Sequence, residues 1–320
     1  MKNYFQHTII LYFLAVACWN SNWAQVKKAK EILWTTDWSP NGKYIAIGGN
    51  TDSLRIYNGA RLKSYKSIPF NGTITRLQWH PSKNTIAVAT QLSADKPCLI
   101  DLDTKKKIEL NGISADGARG LDWNATGTLL AVADNDGQIL IYDTQGTLVK
   151  TIKNENGLSI TAIDWHPDGK RLVVVSDKIR LFDTSGNLLK SIRHRPESVL
   201  LLSVAWHPSG AFFVTGDYGD SENKSLLQYW SQDGKLLQSV AVGQAEFRNL
   251  SWNPKGSRLA TASDALRIWD LKGNLISYGK SPDYLWGVAW NKNGTRMVTS
   301  SLEQRIALWN AKAEELLVLE

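Results

Sequence analysis

Short stretches of alternating apolar and polar residues run along this 320-residue chain, and one phrase recurs through them. In each copy an apolar strand ends in a tryptophan, and a turn rich in Pro, Asn and Gly follows. The copies are 38 to 46 residues apart, a period typical of a unit of four short strands. The seven tryptophans that mark them are Trp38, Trp79, Trp123, Trp165, Trp206, Trp252 and Trp290.

The pattern inside each copy predicts four strands. The turn, with Pro early and Gly late, is typical of a type I hairpin turn with a glycine bulge. A second strand follows it, a third ends in an apolar or aromatic residue, and a fourth is more polar, as at residues 147–152. One such sheet cannot bury both of its faces, so the sheets should stack around an axis. The sequence therefore predicts an all-β fold, a seven-bladed β-propeller of four-stranded antiparallel blades.

The end of the third strand carries a family signature. Residues Ile268-Trp269-Asp270 match that of the WD-repeat proteins in full, and the other six copies match it nearly. Over about residues 32–320 the chain resembles the WD-repeat β-propeller family, as a divergent, exported bacterial member. The resemblance implies a protein-interaction scaffold. No copy has the Gly-His pair that usually precedes the first strand in this family, so we expect the family's buried histidine–aspartate hydrogen bonds to be missing.

Two ways of closing the ring are open. Residues 314–319 have the pattern of an outer strand and can complete the seventh blade, in which case every blade is complete in sequence order. Alternatively, residues 26–30 can add an outer strand to the seventh blade as a clasp. We expect the first arrangement.

The first residues do not fit the repeat. Lys2 precedes an apolar run at residues 9–17 that is too short to cross a bilayer as a helix and is typical of a secretory signal peptide. Cleavage is predicted after Ala17 or after Ala24, so the protein is expected to be secreted or periplasmic. The predicted parts are a signal peptide over residues 1–24, a short lead-in over 25–31 and the propeller over 32–320.

The two cysteines bear on export and on stability. Cys18 directly follows a short apolar stretch that resembles a bacterial lipobox, so a membrane-anchored lipoprotein is an alternative, and an uncleaved anchor is a further one. Only Cys98 lies beyond this region, so no internal disulfide is expected. Because Cys98 falls in a predicted strand, we expect it to act as a small buried hydrophobe.

The composition is that of a folded globular protein, with 43% hydrophobic and 21% charged residues. The formal net charge of +7 is mild and spread along the chain. Basic runs such as residues 105–107 are therefore interpreted as solvated loops. Export also argues against a nucleic-acid partner.

Few residues are candidates for catalysis or metal binding. His80, His166 and His207 occupy equivalent places on different blades, so we expect turn residues packed beside proline rather than metal ligands. Residues 134–137 are expected to form a hairpin turn, and the acidic loop 216–223 to be solvated, with a cation site there as a weaker alternative. No nucleophile elbow, phosphate loop or zinc-protease motif occurs. No catalytic residue, cofactor or resident metal is therefore assigned.

Propellers bind partners mainly on the face where their innermost strands begin. The position four residues before each repeat tryptophan lies near that rim, and it varies among the blades, which indicates local use. The alternative is that the tryptophans found there pack between blades and never reach solvent. Exposed Trp, Tyr and Arg side chains are enriched at binding hot spots. The predicted partner-binding residues are Trp34, Arg119, Tyr218, Arg248, Tyr284 and Trp286.

These observations favour a monomeric, non-catalytic scaffold that binds another protein, with contact to a membrane only if Cys18 is lipidated. The alternative is a glycan or small-molecule binding module that uses the axial face. A hydrolase or lyase built on a propeller is a weaker alternative. No residue identifies the partner.

Overall fold

The computed structural model of the protein describes residues 31–154, 157–196, 198–219, 224–241 and 245–319. These residues form seven four-stranded antiparallel sheets, and in each sheet the strands follow one another in chain order. The predicted seven-bladed propeller is confirmed. Within these ranges no helix is long and apolar enough to cross a membrane. The predicted signal peptide and the alternative clasp at residues 26–30 lie outside the described residues.

Each blade contributes one strand to each of four concentric layers. The innermost strands are β1 (Thr35–Trp38), β5 (Thr73–Trp79), β9 (Ala118–Trp123), β13 (Ala162–Trp165), β17 (Leu201–Trp206), β21 (Asn249–Trp252) and β25 (Leu285–Trp290). The second strands are β2 (Tyr44–Gly48), β6 (Thr85–Gln91), β10 (Leu129–Asp134), β14 (Arg171–Val175), β18 (Phe212–Asp217), β22 (Leu259–Ala262) and β26 (Arg296–Ser301). The third strands are β3 (Ser53–Asn58), β7 (Cys98–Asp101), β11 (Gln138–Asp143), β15 (Ile179–Asp183), β19 (Leu227–Ser231), β23 (Ala265–Trp269) and β27 (Ile306–Asn310). The outer strands are β4 (Ser64–Pro69), β8 (Lys107–Glu109), β12 (Leu148–Lys153), β16 (Leu188–Ile192), β20 (Leu236–Val240), β24 (Leu275–Lys280) and β28 (Glu315–Leu319).

The ring closes between the first and the last blade. Each innermost strand contacts the innermost strand of the next blade, and β25 contacts β1. Strand β28 pairs with β27 as the outer strand of the seventh blade, so the expected closure with every blade complete in sequence order is confirmed. Just before β1, the Leu33 N–H donates to the Ser301 carbonyl at 3.1 Å and adds a contact across this boundary.

The hydrophobic core lies between the blades. At the closing boundary, for example, Ile47 of the first blade packs in one cluster with Val298 and Leu308 of the seventh. Six of the seven repeat tryptophans are buried, and Trp252 is half-buried. Because side chains alternate along a strand, both faces of a blade take part: Ala46 and Ile56 of the first blade pack with residues of the second blade instead.

The repeat turns have the predicted form. At six of the seven turns the glycine N–H donates to the carbonyl of the residue that follows the tryptophan, at 2.8–2.9 Å. These glycines have φ values of 65–74°, in the left-handed region that glycine tolerates best. The second blade has Lys83 at this place instead of glycine.

The histidines after three repeat tryptophans join neighbouring blades. Nε2 of His80, His166 and His207 lies 2.8–3.0 Å from the glycine carbonyl of the next blade's repeat turn. Each ring also packs edge-on against the next blade's repeat tryptophan, with centroids 4.5–4.8 Å apart. The structural interpretation of these histidines is therefore supported, and the contact they make is between blades.

A buried histidine–aspartate hydrogen bond joins the loop before β17 to the end of β18 in the fifth blade, so the expectation that these hydrogen bonds are missing was wrong for that blade. His194 Nε2 lies 2.7 Å from Asp217 Oδ2, with both side chains almost completely buried. Arg195 Nη1 donates to the same oxygen at 3.0 Å. In this blade Trp230 Nε1 also donates to Thr215 Oγ1 at 2.9 Å. The histidine follows an arginine rather than a glycine, and therefore the search for Gly-His pairs missed it.

The remaining polar turns are structural where the chain is described. Residues 134–137 form the expected turn between β10 and β11, in which Asp134 Oδ1 accepts the Gln138 N–H at 2.7 Å. Asp217 of the acidic loop is engaged by His194, and residues 220–223 of that loop lie outside the described residues. Cys98 is fully buried and unpaired, as expected, and burial raises the pKa of its thiol to about 12.

Candidate functional site at the axial channel

A β-bulge lies near the start of several innermost strands, at what we call the upper end of the ring. The register between the first and second strands of a blade skips one residue at Thr75, Arg119, Leu202 and Trp286. A bulge leaves its extra residue unpaired and turns that side chain away from the ordinary alternation. All four residues stand four positions before a repeat tryptophan. In these four blades the bulge is thus the local reason why this position faces the axis.

These four side chains and four others line one cavity of about 80 Å³ on the axis, which we call the axial mouth. The cavity brings together four of the six predicted partner-binding residues. Its lining consists of Arg76 and all seven residues at the position four before a repeat tryptophan, namely Trp34, Thr75, Arg119, Thr161, Leu202, Arg248 and Trp286.

Two indoles and a guanidinium form one wall of this axial mouth. The rings of Trp34 and Trp286 are in contact across the closing boundary, with centroids 4.8 Å apart. Arg248 lies over the Trp286 ring with its Cζ 3.5 Å from the centroid, and it forms an ion pair with Glu246. Both tryptophans are half-buried. They therefore pack between blades and still line the axial cavity, and their part in partner binding stays a prediction.

Arg119 differs from Arg248 in its hydrogen-bond partner. Its Nε donates to Gln91 Oε1 at 2.9 Å, and it forms no ion pair with any described carboxylate. Burial lowers the pKa of Arg119, and the neighbouring charge of Arg248 lowers this pKa further. A cation held near another cation in a partly dry site is unfavourable unless an anion joins it.

The two predicted tyrosines do not line the cavity. Tyr218 and Tyr284 are 55% and 52% exposed and lie on loops at the upper end of the ring. Tyr218 follows β18 and interacts electrostatically with Arg248, whereas Tyr284 directly precedes β25. The tyrosines thus belong to the surface around the axial mouth, and their part in binding stays a prediction.

Below the mouth, Arg76 also lines a second axial cavity of about 210 Å³. Here it faces three carboxyl groups. Burial raises the pKa of Asp37 to about 7 and that of Asp122 to about 6. Burial and the nearby Asp122 raise the pKa of Asp164 well above its usual value. Burial lowers the pKa of Arg76, and the three carboxyl groups oppose this effect.

The three carboxyl groups of this lower cavity tie blades together. Each accepts the backbone N–H of the next blade's repeat tryptophan, at 2.6–2.8 Å. In the second blade Gln78 accepts the corresponding N–H at 2.8 Å and donates to Asp122 at 2.7 Å. These bonds assign the acids of the channel to the joints between blades.

Comparison with known proteins agrees with this architecture. The family model described as "WDR19 first beta-propeller" matches residues 34–201, more than half of the chain. The chain belongs to the WD-repeat β-propeller family. A second model, described as "WD domain, G-beta repeat", matches residues 186–229 and 273–310 of this WD-repeat propeller.

Individual relatives are distant and longer. The WD-repeat propeller is 23% identical over 177 residues to the intraflagellar transport protein 80 homolog of Rattus norvegicus. The matched residues make up 55% of this chain and 22% of that protein. The propeller is 23% identical to protein FIZZY-RELATED 3 of Arabidopsis thaliana, covering 80% and 54%. It is 24% identical to the WD repeat-containing protein 26 homolog of the same plant, covering 73% and 40%. The chain thus spans about a fifth to a half of the length of these curated relatives.

Sequence reasoning missed the interior of the channel in this WD-repeat propeller. Neither Arg76 nor the acids Asp37, Asp122 and Asp164 were predicted as site residues. A usable signal exists, because each acid directly precedes a repeat tryptophan inside an otherwise apolar strand. Ionisable residues at such places are rarely buried without a partner.

Proposed function

We propose that this WD-repeat propeller is an exported, non-catalytic scaffold that binds another protein with the upper end of its ring. The observation that carries the proposal is the grouping of Trp34, Trp286, Arg119 and Arg248 around one axial cavity. Tryptophan and arginine side chains that keep exposed surface are characteristic of interface hot spots. The similarity to other WD-repeat proteins supports the same interpretation.

The size of the axial mouth favours a protein over a free small molecule as the partner. Sites that enclose a small ligand usually measure about 300 to 1,000 Å³. The mouth offers about 80 Å³, so it accepts a side chain of a larger partner. A scaffold is also favoured over a hydrolase or lyase, because the channel acids already accept backbone N–H groups.

Export is part of the proposal and rests on the apolar run at residues 9–17. The protein is secreted or periplasmic if cleavage follows Ala17 or Ala24, and it is anchored to a membrane if Cys18 carries lipid. The intact mass of protein purified from the cells that make it distinguishes these forms.

Site-specific photo-crosslinking tests the binding surface. A photoreactive amino acid in place of Tyr284, which is 52% exposed two residues before Trp286, should form an adduct with the partner in the cells that make the protein. The matched control is the same amino acid at Tyr65, 57% exposed on outer strand β4. The double change Trp34→Ala and Trp286→Ala should abolish the Tyr284 adduct. Absence of an adduct, equal adducts from both positions, or an adduct that survives the double change would contradict the proposal.

A further inference from the structure

Three guanidinium groups converge on the axial mouth. Arg76, Arg119 and Arg248 all line its cavity of about 80 Å³. Such a grouping is costly in a partly buried site, because like charges repel more strongly where little water screens them. The local partners of each arginine therefore decide whether the mouth carries uncompensated charge.

Two of the three charges have counter-charges in the protein. Arg248 forms an ion pair with Glu246 and lies over the Trp286 ring. Arg76 lines the lower cavity with Asp37, Asp122 and Asp164, and these three carboxyl groups oppose the effect of burial on the pKa of Arg76. Acidic groups below and beside the mouth thus offset the charges of Arg76 and Arg248.

Arg119 is the remaining charge. Its Nε is occupied by the neutral Gln91 side chain, and no described carboxylate forms an ion pair with it. Its terminal NH₂ groups are left for a ligand in the cavity. Among the described residues, Arg119 is thus the one arginine of the mouth without a counter-charge, and its guanidinium offers donors arranged as a fork.

We propose that the axial mouth binds one carboxylate, the side chain of an Asp or Glu in an extended segment of the partner protein. The proposal rests on the scaffold function above and names the chemistry that the site takes up. A carboxylate matches the planar fork of a guanidinium with two parallel hydrogen bonds. One negative charge balances Arg119, whereas a phosphate would bring nearly two at neutral pH.

The surroundings of the mouth select a segment rather than a free acid. The cavity holds only the tip of a side chain, so most of the contact area must come from the surface around it. There Tyr218 and Tyr284 expose about half of their surfaces, 55% and 52%. Residues flanking the acidic side chain can pack on these rings, which a small free acid cannot do.

Fluorescence anisotropy with defined peptides tests the site on the full chain. The probe is a fluorescein-labelled peptide of repeated Gly-Ser-Glu units, and its neutral match has Gln in place of Glu. The Glu peptide should bind at least about tenfold more tightly, as expected when charged hydrogen bonds are lost with Gln. Binding should weaken as salt concentration rises. Equal binding of both peptides, or no binding of the Glu peptide at about 1 mM, would overturn the proposal.

Matched arginine variants locate the binding. Arg119→Gln should weaken binding of the Glu peptide about tenfold or more, and Arg119→Lys, which keeps the charge, should lose less. The control is Arg61→Gln, an exposed arginine on the turn between β3 and β4, which should bind as the wild type does. Thermal unfolding of each variant separates lost binding from lost folding. An equal loss in Arg119→Gln and Arg61→Gln would show general charge attraction and refute the site.

Two further probes test the choice of ligand. Free glutarate should compete only weakly, and tighter binding of glutarate than of the peptide would refute the role of a segment. A peptide with phosphoserine in place of Glu should not bind more tightly, and tighter binding would refute the choice of a carboxylate. The scaffold proposal is tested separately, because the Tyr284 adduct and its loss in the tryptophan double variant do not depend on acidic peptides.

Discussion

The two ends of the axial channel contain buried charge of opposite sign and use it differently. In the lower cavity Asp37, Asp122 and Asp164 each accept a backbone N–H from the next blade, so their polar atoms are occupied within the fold. In the upper mouth the partner of Arg119 among the described residues is the neutral Gln91, and the Trp34–Trp286 pair keeps exposed surface. The innermost strands thus carry acids that bond to the backbone at the lower end, and an arginine with no described counter-charge at the upper end.

This difference separates folding from binding within one repeat unit. A buried polar group that is removed from a bonded network costs the fold its partner's hydrogen bond. A polar group without a charged partner contributes little to the fold and remains able to meet a ligand. We therefore expect changes at the lower end to reduce stability and changes at the upper end to reduce binding.

The largest expected contrast is between the two tryptophans at the ends of β1, Trp34, which directly precedes the strand, and Trp38, its last residue. Trp38→Ala should lower the free energy of unfolding by about 3 to 5 kcal/mol, because the ring is only 6% exposed in the core between blades. Trp34→Ala should cost about 1 to 2 kcal/mol, mainly through the lost contact with Trp286. Denaturant unfolding measures both. Equal losses would show that Trp34 is a core residue and would remove the contrast between the two ends.

The fold was largely predictable from the sequence, because each blade repeats a tryptophan turn whose chemistry is local. The closure of the seventh blade was also predictable, since residues 314–319 have the outer-strand pattern. The hydrogen-bond partners of the channel acids were not predictable, because Asp37 and Asp122 accept N–H groups that lie 42 and 43 residues later in the chain. The bulge at Arg119 was hidden for a similar reason, since register is a property of two strands rather than one.

The position four before each tryptophan was found without knowledge of its geometry. Its variation along the repeat indicated local use, and the structure shows the shared cavity. Tyr218 and Tyr284 were grouped with it because tyrosine is a residue type enriched at binding hot spots, but they lie outside the cavity lining. The histidine–aspartate pair of the fifth blade was missed because His194 lacks the preceding glycine of the family pattern.

The second test uses pH at the lower end. Burial raises the pKa of Asp37 from 3.8 to about 7, so the folded protein holds a proton there that the unfolded chain releases above about pH 4. The stability this proton provides is complete below pH 3.8 and is lost as pH rises to about 7. Asp37→Asn lacks this titration. Relative to the wild type, its free energy of unfolding should therefore rise by on the order of 1 kcal/mol per pH unit over this range.

Denaturant unfolding at a series of pH values measures this difference. The matched control is Asp233→Asn, an exposed residue whose curve should run parallel to that of the wild type. A parallel curve for Asp37→Asn as well would show that the Asp37 carboxyl is not held protonated by burial. The lower end would then be as open to solvent and ions as the upper mouth.

The smallest expected effect on stability is at Arg119, and it sharpens the comparison most. Arg119→Gln removes a buried charge that lies near Arg248, so the free energy of unfolding should stay unchanged or rise by about 0.5 kcal/mol. The contrasting variant is Arg267→Gln, because Arg267 is buried and forms two hydrogen bonds to Asp264 at 2.8 and 2.9 Å. That change should cost about 3 kcal/mol by leaving a carboxylate without its partner. Equal losses would make Arg119 a structural residue. A neutral result or a small gain means that the free protein holds Arg119 at a cost, as expected of a group positioned for a ligand rather than for the fold.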